Sequence, residues 1–520
     1  MRFSVTQKKT VRTIACLLFC LFVCAMAFLN RTLVLEPVTG FFQGHGSFAE
    51  MKSTLQRNLL GDRLRGKDEL LSLNGGYAGL QGRTRYNGVQ KMTNGMLTAT
   101  IEEMADTSRF ADNLSRFCRF LEGKNIPFLF VLAPYKGPMA ENLMPTGVTD
   151  LTNKIADQAV AQLAEQKVPV LDLRNEMSQS KEQVERFFYR TDHHWNAEGA
   201  FYAFQRIMDA VGASFPGIQM TFTDPALWEK HFIPNWWLGS HGRRVGPLFS
   251  GVEDMDYFLP AFQTAMSRYS PGVWVCKGNF RQANIREWFL EQSNYMRMDS
   301  YFRYLGGGYP LTYHRNPQAE NQMKILLIGD SFKHPTGCFM STEFTAMDVL
   351  DPREYGKMSE MDYVKLNPPD MVILLNYPGT VANNYFTDFG KETEPVSGGE
   401  TDRYDIAVSA DSGMDYALLP VRLESGRSYV LSLDQVQVLT GAPDGASIEL
   451  YKGEDIVDLT VFDIEYGNQF EYHWGFQIPP GDEDGEPYQL RLYAGVSGGT
   501  EGMSLVYHGI RLQEFLLPNS

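Results

Sequence analysis

Cysteine is scarce in this chain, with six residues among 520. Three of them lie in one apolar stretch near the N-terminus, and the rest of the chain holds only Cys118, Cys276 and Cys338. No pair has the Cys-x-x-Cys spacing, which argues against a structural zinc site, and three dispersed cysteines do not make a disulfide framework. A single Cys276–Cys338 disulfide remains an open alternative.

Basic residues are also few, since 47 Lys and Arg face 62 Asp and Glu and the formal net charge is −15. This excess of negative charge argues against nucleic-acid binding over the whole surface, which needs cations to neutralise phosphates. The imbalance is confined to Glu400–Ser520, which has 21 acidic and 6 basic residues, whereas residues 1–399 have 41 of each. The break in charge predicts a separate C-terminal domain over residues 400–520.

Long uncharged apolar runs are missing except at the N-terminus. Thr13–Asn30 carries no charge and follows the basic residues Arg2, Lys8, Lys9 and Arg12. Its 18 residues just reach the length of a membrane-crossing helix, which is about 20 residues. We expect residues 1–30 to form an uncleaved signal-anchor, with a cleaved signal peptide as the alternative. In both cases the basic flank predicts that the remainder lies outside the cytoplasm, anchored to the cell membrane or released.

Residues 31–395 alternate between strand and helix patterns, as in a parallel α/β sheet. Continuous apolar runs typical of buried strands lie at Ile126–Ala133, Val168–Leu173, Lys324–Ile328 and Asp370–Leu375. Amphipathic helices are predicted at Ile101–Glu122, Leu151–Gln166 and Asn196–Val211. The segment at about 215–320 breaks this rhythm, is rich in aromatic residues, and is predicted to be a large insertion.

The C-terminal part, beyond a predicted linker at Pro395–Thr401, has the pattern of an all-β sandwich. Alternating strands are predicted at Tyr429–Leu433, Ser447–Tyr451, Glu471–Gln477, Gln489–Tyr493 and Leu505–Leu512. The aromatic residues Tyr466, Tyr472, Trp474 and Phe476 either stack on sugar rings or fill the core. Gly495–Gly499 fits the pattern Gly-x-Ser-x-Gly but lacks a strand–turn–helix context, so we interpret it as a turn.

Gly329-Asp330-Ser331 directly follows the predicted strand Lys324–Ile328. A serine that leaves a parallel strand and opens the next helix has an exposed hydroxyl beside a positive helix end. A nucleophile and one oxyanion donor belong at such a position. Taken alone the motif is weak, because many strand-to-helix turns use these residue types.

A second motif, Thr191-Asp192-His193-His194-Trp195-Asn196, stands just before a predicted helix. A serine nucleophile needs an imidazole base, and the imidazole needs a carboxylate to orient it, and this loop supplies both. Capping of the helix by Asp192 or Asn196 is compatible with that role. A metal site made of His193, His194 and His334 is a further alternative, although no cysteine-rich or carboxylate-rich partner set stands nearby.

The order of these segments resembles the SGNH, or GDSL, esterase superfamily in a circularly permuted arrangement. The strand Ile126–Pro134 and the TDHHW loop come first, and the GDS strand and the strand ending at Asn376 follow. TDHHWN, GDSF and Gly239–Pro247 (GSHGRRVGP) are similar to motifs of the DHHW-motif proteins and of the permuted SGNH hydrolase-like alginate O-acetyltransferases. The resemblance covers roughly residues 70–380 and implies a flavodoxin-like parallel sheet.

The resemblance implies a catalytic triad of Ser331, His194 and Asp192, with no role for the variable His193. It also implies an oxyanion donor at Asn376, although Tyr377-Pro378-Gly379 departs from the usual block after that strand. Candidate substrate-binding residues are Lys136, Arg243, Arg244, Trp236 and Trp237, the last two as exposed aromatics of the insertion.

The implied function is an extracytoplasmic O-acetyltransferase that moves an acetyl group through a Ser331 ester to hydroxyls of a cell-surface or secreted polysaccharide. A membrane-bound O-acyltransferase would be the partner that supplies acetyl groups. No cofactor is expected, because no Gly-rich loop that would hold the phosphates of acetyl-CoA is evident. No metal is expected, because no carboxylate-rich or Cys-rich partner set stands near the histidines. The alternatives are an SGNH-type carbohydrate or acetyl esterase and a non-catalytic glycan-binding surface protein.

Overall fold

The computed structural model describes residues 13–14, 17, 20–22, 24–43, 47–60, 64–270, 274–287, 296, 300–305, 308–355, 359–383, 402–409, 416–441, 445–462, 464, 472–478, 487–495 and 502–515. The predicted linker, Trp288, Tyr466 and residues 496–499 lie outside this set. All structural statements below concern the described residues.

The described α-helices are numbered along the chain. They are α1 Arg31–Phe42, α2 Phe48–Leu60, α3 Lys67–Leu80, α4 Ser108–Glu122, α5 Thr152–Glu165, α6 Arg174–Met177, α7 Lys181–Phe187, α8 Ala197–Ser214, α9 Ser240–Val245, α10 Pro247–Ser250, α11 Phe280–Asn284, α12 Lys333–Met340, α13 Glu360–Leu366 and α14 Pro378–Asn383. Short 3₁₀ turns are present at Pro225–Leu227 and Ser300–Arg303.

The strands up to residue 376 are β1 Arg85–Tyr86, β2 Val89–Lys91, β3 Leu97–Thr98, β4 Phe128–Leu132, β5 Val170–Asp172, β6 Trp228–Trp237, β7 Glu253–Pro260, β8 Met266–Ser270, β9 Trp274–Gly278, β10 Leu311–Arg315, β11 Asn321–Gly329, β12 Phe344–Leu350 and β13 Met371–Asn376. The remaining strands are β14 Tyr404–Ser409, β15 Tyr416–Leu418, β16 Ser428–Leu433, β17 Gln435–Thr440, β18 Ala446–Lys452, β19 Asp455–Phe462, β20 Tyr472–Gln477, β21 Tyr488–Tyr493 and β22 Ser504–Phe515.

An eight-stranded mixed sheet forms the centre of the molecule, in the order β5-β4-β13-β11-β12-β10-β8-β9. The first five strands run parallel, and β10, β8 and β9 extend the β12 edge in antiparallel fashion. The prediction of an α/β fold with parallel strands at its centre is therefore confirmed, whereas the sheet as a whole is mixed and not purely parallel. The permuted strand order stays a prediction.

The apolar strands are continuous because both faces of the sheet are covered. In β4 (FLFVL), Leu129 and Val131 belong to one buried apolar cluster, and Phe128, Phe130 and Leu132 belong to a second. Alternate residues of β11 divide between the same two clusters. Each strand therefore contributes side chains to two cores, which gives runs without polar interruption.

The segment expected to be an insertion contributes directly to the main sheet. Its strands β8, β9 and β10 join that sheet, while β6 and β7 pair with each other as a separate hairpin. The aromatic richness reflects packing, since Trp228 and Trp237 are buried in the same cluster as the sheet residues. Cys276 and Cys338 are separate free thiols, so the open disulfide alternative is not formed.

The C-terminal strands form two further antiparallel sheets, one of five strands and one of four. Both contribute to one apolar cluster, which includes Leu431 and Tyr507 from the first sheet and Ile448 and Leu490 from the second. Trp474 and Phe476 are 2% and 0% exposed in this cluster. The suggestion that these two aromatics bind sugar is therefore wrong, because the core excludes a ligand from their rings.

At the N-terminus, no single helix among the described residues is long and apolar enough to cross a membrane. The helix pair Cys20–Leu29 and Arg31–Phe42 meets the length and composition requirement together, with a bend of 55° at Asn30. A broken span, a re-entrant loop and a signal sequence all share that property.

The neighbouring parallel strands β11 and β13 lie so close together at Gly329 that no side chain fits there. A Cβ there would lie 2.2 Å from the carbonyl oxygen of Leu375, on the neighbouring strand. We predict that Gly329→Ala destabilises the protein by about 1–3 kcal/mol, because the backbone must move to accept the methyl group. Thermal unfolding followed by intrinsic fluorescence measures this. The control is Gly308→Ala, where the added Cβ meets nothing within 4 Å. Equal melting temperatures for the two variants would contradict the prediction.

Candidate active site

The carboxyl end of β11 carries the Gly329-Asp330-Ser331 turn. Asp330 is fully buried, and its carboxylate accepts hydrogen bonds from Phe332 N (3.0 Å), Tyr377 N (2.8 Å) and Thr380 Oγ1 (2.7 Å). It therefore ties the turn after β11 to the turn after β13. The side chain is saturated by these structural contacts and leaves the neighbouring Ser331, which is half-buried, as the reactive group of the motif.

Helix α12, which follows the turn, is fixed at its first residue, Lys333, by a buried ion pair. Lys333 Nζ donates to Asp351 Oδ2 at 2.8 Å and to the carbonyl oxygens of Gly329 (2.9 Å) and Asp330 (3.3 Å). Arg353 makes two further hydrogen bonds to the Asp351 carboxylate. Because a buried charge is tolerated only when it is paired, the backbone around Ser331 is held by groups that cannot easily leave.

The loop bearing Asp192 and His194 is held by Glu253, at the start of β7. Glu253 accepts from Arg190 N at 2.6 Å and from Thr191 N at 2.7 Å, and it also accepts from the Thr191 hydroxyl. The loop meets the start of α9 on its other side, where Gly239 N donates to Thr191 Oγ1 at 2.8 Å. A Cβ at Gly239 would lie 2.4 Å from Asp192 Cβ, so this approach requires glycine.

Ser331, His194 and Asp192 form one hydrogen-bonded chain. Ser331 Oγ lies 2.6 Å from His194 Nε2, and His194 Nδ1 lies 2.6 Å from Asp192 Oδ1. Asp192 Oδ1 also accepts from His194 N at 2.9 Å, and Oδ2 accepts from Ser240 N at 2.5 Å. Asp192 is 0% exposed and His194 is 4% exposed. The three side chains are thus brought together in the order that activates a serine hydroxyl.

The charge on Asp192 is stabilised locally. Burial by itself raises the pKa of this carboxyl, but interaction with His194 and His193 and the hydrogen bonds from His194 and from the Ser240 amide lower it by more. The net result is a pKa well below the usual value, so Asp192 stays ionised. An ionised partner fixes the imidazole tautomer and stabilises the imidazolium that forms when a serine loses its proton.

Aromatic rings enclose the imidazole. Tyr301 stacks on His194 with ring centroids 3.7 Å apart and an interplanar angle of 6°, and Phe332 lies 5.0 Å away. Phe332 in turn stacks on Tyr377 at 5.1 Å. These rings exclude water from the His194 faces and keep the imidazole in the plane that joins Asp192 to Ser331.

His193 lies outside this chain of hydrogen bonds. Its ring is 3.7 Å from that of His194, and its Nδ1 lies 2.9 Å from Ser240 Oγ. Ligand atoms of Asp192, His193 and His194 lie within 4.8 Å of one another, close enough to share a metal ion. Both ring nitrogens of His194 are, however, engaged by Asp192 and Ser331, so metal binding would break the chain. His334, the third histidine considered for a metal, is not among this group.

Lys136 does not reach an open binding surface, which corrects its suggested contact with substrate. It is 1% exposed, and its ammonium group donates to the carbonyl oxygens of Leu97 (2.8 Å), Arg190 (3.3 Å) and Asp192. The cation therefore holds the backbone of the TDHHW loop. Burial lowers the pKa of Lys136 to about 8, while Glu253 and Asp192 act in the opposite direction.

The prediction that Trp237 is an exposed substrate-binding residue is also wrong. Its side chain is fully buried and packs edge-on against Tyr189, with ring centroids 4.0 Å apart. Its neighbour Trp236 is half-buried and packs at the border of the same core. Successive residues of a strand point to opposite faces, and here the face that carries Trp237 meets the core. Trp236 stays a candidate for substrate contact.

The two arginines of α9 differ in exposure. Arg244 is exposed and donates to the carbonyl oxygen of Asn87 at 3.0 Å, while Arg243 is half-buried. A role of Arg243 and Arg244 in substrate binding stays a prediction.

Asn376 ends β13 beside the GDS turn, one residue beyond the Gly329–Leu375 pair of the sheet register. Its side chain is 0% exposed, and neither its amide nitrogen nor its amide oxygen has a hydrogen-bond partner within the described part of the chain. Burying an amide group without hydrogen-bond partners costs free energy. Such unpaired groups often occur where a ligand or a reacting atom supplies the missing hydrogen bonds. Its role as an oxyanion donor stays a prediction.

Comparison with known proteins agrees with this architecture. Residues 93–226 match the family model described as SGNH hydrolase-like domain, acetyltransferase AlgX. The predicted family resemblance is confirmed. No curated protein sequence matches the chain.

Three solved structures are similar to this protein. PatB1 from Bacillus cereus with a sulfonyl adduct shares 19% identity at a TM-score of 0.50, over 59% of this chain and 99% of that one. A DHHW family protein from Eubacterium siraeum shares 16% identity, over 59% and 98%, with a TM-score of 0.44. The O-acetyltransferase domain of Pseudomonas putida AlgJ shares 14% identity, over 57% and 92%, with a TM-score of 0.36. The PatB1 likeness shows a common fold.

The sequence did not reveal Glu253 or Tyr301 as neighbours of the site. Both come from the segment at about 215–320, which was predicted to be a large insertion. An acidic residue at a strand start and a tyrosine in an aromatic-rich stretch carry no motif that would mark them. Only the tertiary contacts with Thr191 and His194 do so.

The buried Lys136 makes stability depend on pH. The folded pKa of about 8 lies below the ordinary value of 10.5, so the unfolded chain binds more protons between these pH values and stability rises with pH across that interval. The free energy of unfolding rises by about 3 kcal/mol across this interval. We predict that Lys136→Met removes this rise, so that wild type gains stability over the variant from pH 8 to pH 10. Thermal unfolding of wild type and Lys136→Met at several pH values measures this difference in stability, with the exposed Lys154→Met as control. A stability difference between wild type and Lys136→Met that does not change with pH would contradict the prediction.

Proposed function

We propose that this protein is an extracytoplasmic, SGNH-type O-acetyltransferase acting on hydroxyl groups of a cell-surface or secreted polysaccharide. The observation that carries the proposal is the hydrogen-bonded chain from Ser331 through His194 to the ionised Asp192. The family match over residues 93–226, described as an acetyltransferase domain, supports the type of reaction. The domain division at about residue 395–400, the permuted strand order and a membrane-bound O-acyltransferase as acetyl source are parts of the same proposal.

In the first step, Ser331 Oγ attacks the carbonyl carbon of an acetyl donor while His194 Nε2 takes the hydroxyl proton. Asp192 stabilises the imidazolium that results, and the Asn376 amide, together with the backbone amide of Ser331, stabilises the oxyanion. The tetrahedral intermediate collapses, the donor oxygen leaves with the proton from His194, and an acetyl ester remains on Ser331. In the second step, a sugar hydroxyl gives its proton to His194 and takes the acetyl group, and Ser331 is regenerated.

Hydrolysis is the second candidate, because Ser331 is half-buried and water can reach an acyl-enzyme at this position. Transferase and esterase share every step up to that intermediate. They differ only in whether a bound hydroxyl is held close enough to react faster than water.

The first test concerns the triad. Ser331→Ala should lower acetyl-ester turnover by about 10³-fold or more, because it removes the nucleophile and leaves only binding and the oxyanion donors. Wild type should be sulfonylated at Ser331 Oγ by an aryl sulfonyl fluoride, with release of fluoride, and peptide mass spectrometry detects the adduct. His194→Ala should abolish this labelling. The matched control is His193→Ala, which should retain most activity. Loss of turnover on chelation, with recovery on adding zinc, would favour the metal alternative instead.

The second test concerns the acceptor, and it uses Trp236→Ala. We predict that this variant transfers less acetyl to a glycan while its hydrolysis of a simple acetyl ester stays the same or rises, because the acceptor is held less closely. Trp237→Ala is the matched control, and it should lower the melting temperature and both activities because it empties a core position, at a cost of about 3–5 kcal/mol. Equal loss of both rates in Trp236→Ala at unchanged stability would favour the esterase.

A further inference from the structure

Helix α3 packs with its small residues inward and its large apolar residues outward. Gly75 and Ala78 are buried, whereas Leu73, Tyr77 and Leu80 are 60%, 61% and 89% exposed. The exposed three recur at intervals of four and three residues, so they form a single stripe along the helix. A helix that packs only against its own protein has the opposite arrangement, because burial of large apolar side chains supplies most of its stability.

The inward packing of this helix is enforced by close backbone contact. A Cβ at Gly75 would lie 2.0 Å from the carbonyl oxygen of Val245, at the end of α9. A Cβ at Gly76 would lie 2.9 Å from Leu248 Cβ in the short helix α10, and Leu248 is itself 63% exposed. Leu73, Tyr77, Leu80 and Leu248 therefore form one apolar patch, which we call the outer patch.

The outer patch is physically connected to the apolar N-terminal segment. Asn30 follows the helix Cys20–Leu29, and its side-chain amide donates to the carbonyl oxygen of Arg65 at 3.2 Å. In return, Arg65 N donates to Asn30 Oδ1 at 2.8 Å. These two hydrogen bonds hold the residues before α3 against Asn30, the last residue of the segment 1–30 that is expected to be the membrane anchor.

The surroundings of the outer patch have an excess of basic residues. Between Leu64 and Lys91 the sequence has five basic and two acidic residues, whereas residues 1–399 as a whole have 41 of each and are neutral. Arg65, Arg83 and Arg244 are exposed, and Arg244 contacts the β1–β2 turn at Asn87. An apolar stripe flanked by cations is the pattern of helices that lie at the surface of an anionic bilayer.

We propose that the outer patch rests on the anionic surface of the membrane in which the N-terminal segment is anchored, with α3 lying in the plane of the interface. The proposal rests on the proposed membrane anchoring and is independent of the catalytic assignment. The 14 residues of α3 span about 21 Å, which allows Leu73 and Leu80 to enter the same interface. A second copy of the chain is a less suitable occupant, because it would bring the surrounding arginines of both copies together.

This arrangement would also bring the active site near the membrane. The helix α9 that packs on Gly75 begins at Ser240, whose amide donates to the Asp192 carboxylate. One short helix therefore separates the outer patch from the loop that carries the triad.

Photocrosslinking of the full chain in phospholipid nanodiscs tests the proposal. Leu80 is replaced by the photoreactive residue benzoylphenylalanine, and the matched control carries it at Phe232, which is 63% exposed outside the outer patch. In discs of phosphatidylglycerol and phosphatidylcholine, the expected result is a lipid adduct at Leu80 several times more abundant than at Phe232. Arg83→Ala should lower that yield by up to about fivefold, the factor for one cation near an anionic surface.

Unchanged melting temperatures and acetyl-ester hydrolysis confirm that the labelled variants are folded. Equal adduct yields at Leu80 and Phe232, or crosslinks from Leu80 mainly to a second chain, would overturn the proposal while the chain stays on the disc. Release of the chain from the discs would overturn the proposed anchor together with the surface contact. Lack of hydrolysis in wild type would count against the catalytic proposal alone, since lipid contact needs no turnover.

Discussion

The burial of the Asp192 carboxylate is the constraint on which the rest of the site depends. A carboxylate without solvent is costly unless donors surround it, and here the His194 ring, the His194 amide and the Ser240 amide supply them. Each of these donors must stay in place, so the backbone that carries them has to be rigid. Glu253 and Lys136 meet that need from opposite directions, because one accepts from the loop amides and the other donates to the loop carbonyls.

The same constraint explains the glycines of the GSHGRRVGP stretch. Gly239 must lie against Asp192, and a Cβ at Gly242 would lie 2.5 Å from Leu238 Cδ1 and 3.0 Å from Thr191 Cβ. Both glycines allow α9 to approach the loop closely enough for the Ser240 amide to reach the carboxylate. Gly239 and Gly242 are therefore a packing requirement of the buried charge, whereas the half-buried Arg243 and the exposed Arg244 are not part of that requirement.

How far the sequence predicts this molecule depends on the range of the interactions involved. Strands β4, β11 and β13 were predictable because each buries a continuous apolar run. The triad of Ser331, His194 and Asp192 was implied by the family resemblance that two short motifs carry, since the motifs alone left a helix cap and a metal site open. The burial of Lys136 and Trp237 was not predictable, because a charged residue after a strand is usually exposed and the sequence around Trp236-Trp237 does not show which face of the strand meets the core. Helix α4 begins at Ser108, not at Ile101 as predicted, because the apolar periodicity cannot show where the backbone leaves the helix.

The choice between a sugar hydroxyl and water is not made within the triad, because both acceptors would give their proton to the same nitrogen of His194. Tyr301 and Phe332 cover the imidazole, whereas Ser331 remains half-buried, so an acceptor approaches along the open side of the serine. Phe332, which directly follows Ser331, stacks on Tyr377 with ring centroids 5.1 Å apart, and the Tyr377 ring in turn contacts that of His193 at 5.9 Å. If the acceptor is a sugar hydroxyl, as proposed, selectivity against water has to come from groups beside Ser331 and not from the triad itself, because a bound acceptor must displace the water molecules next to the acyl-enzyme.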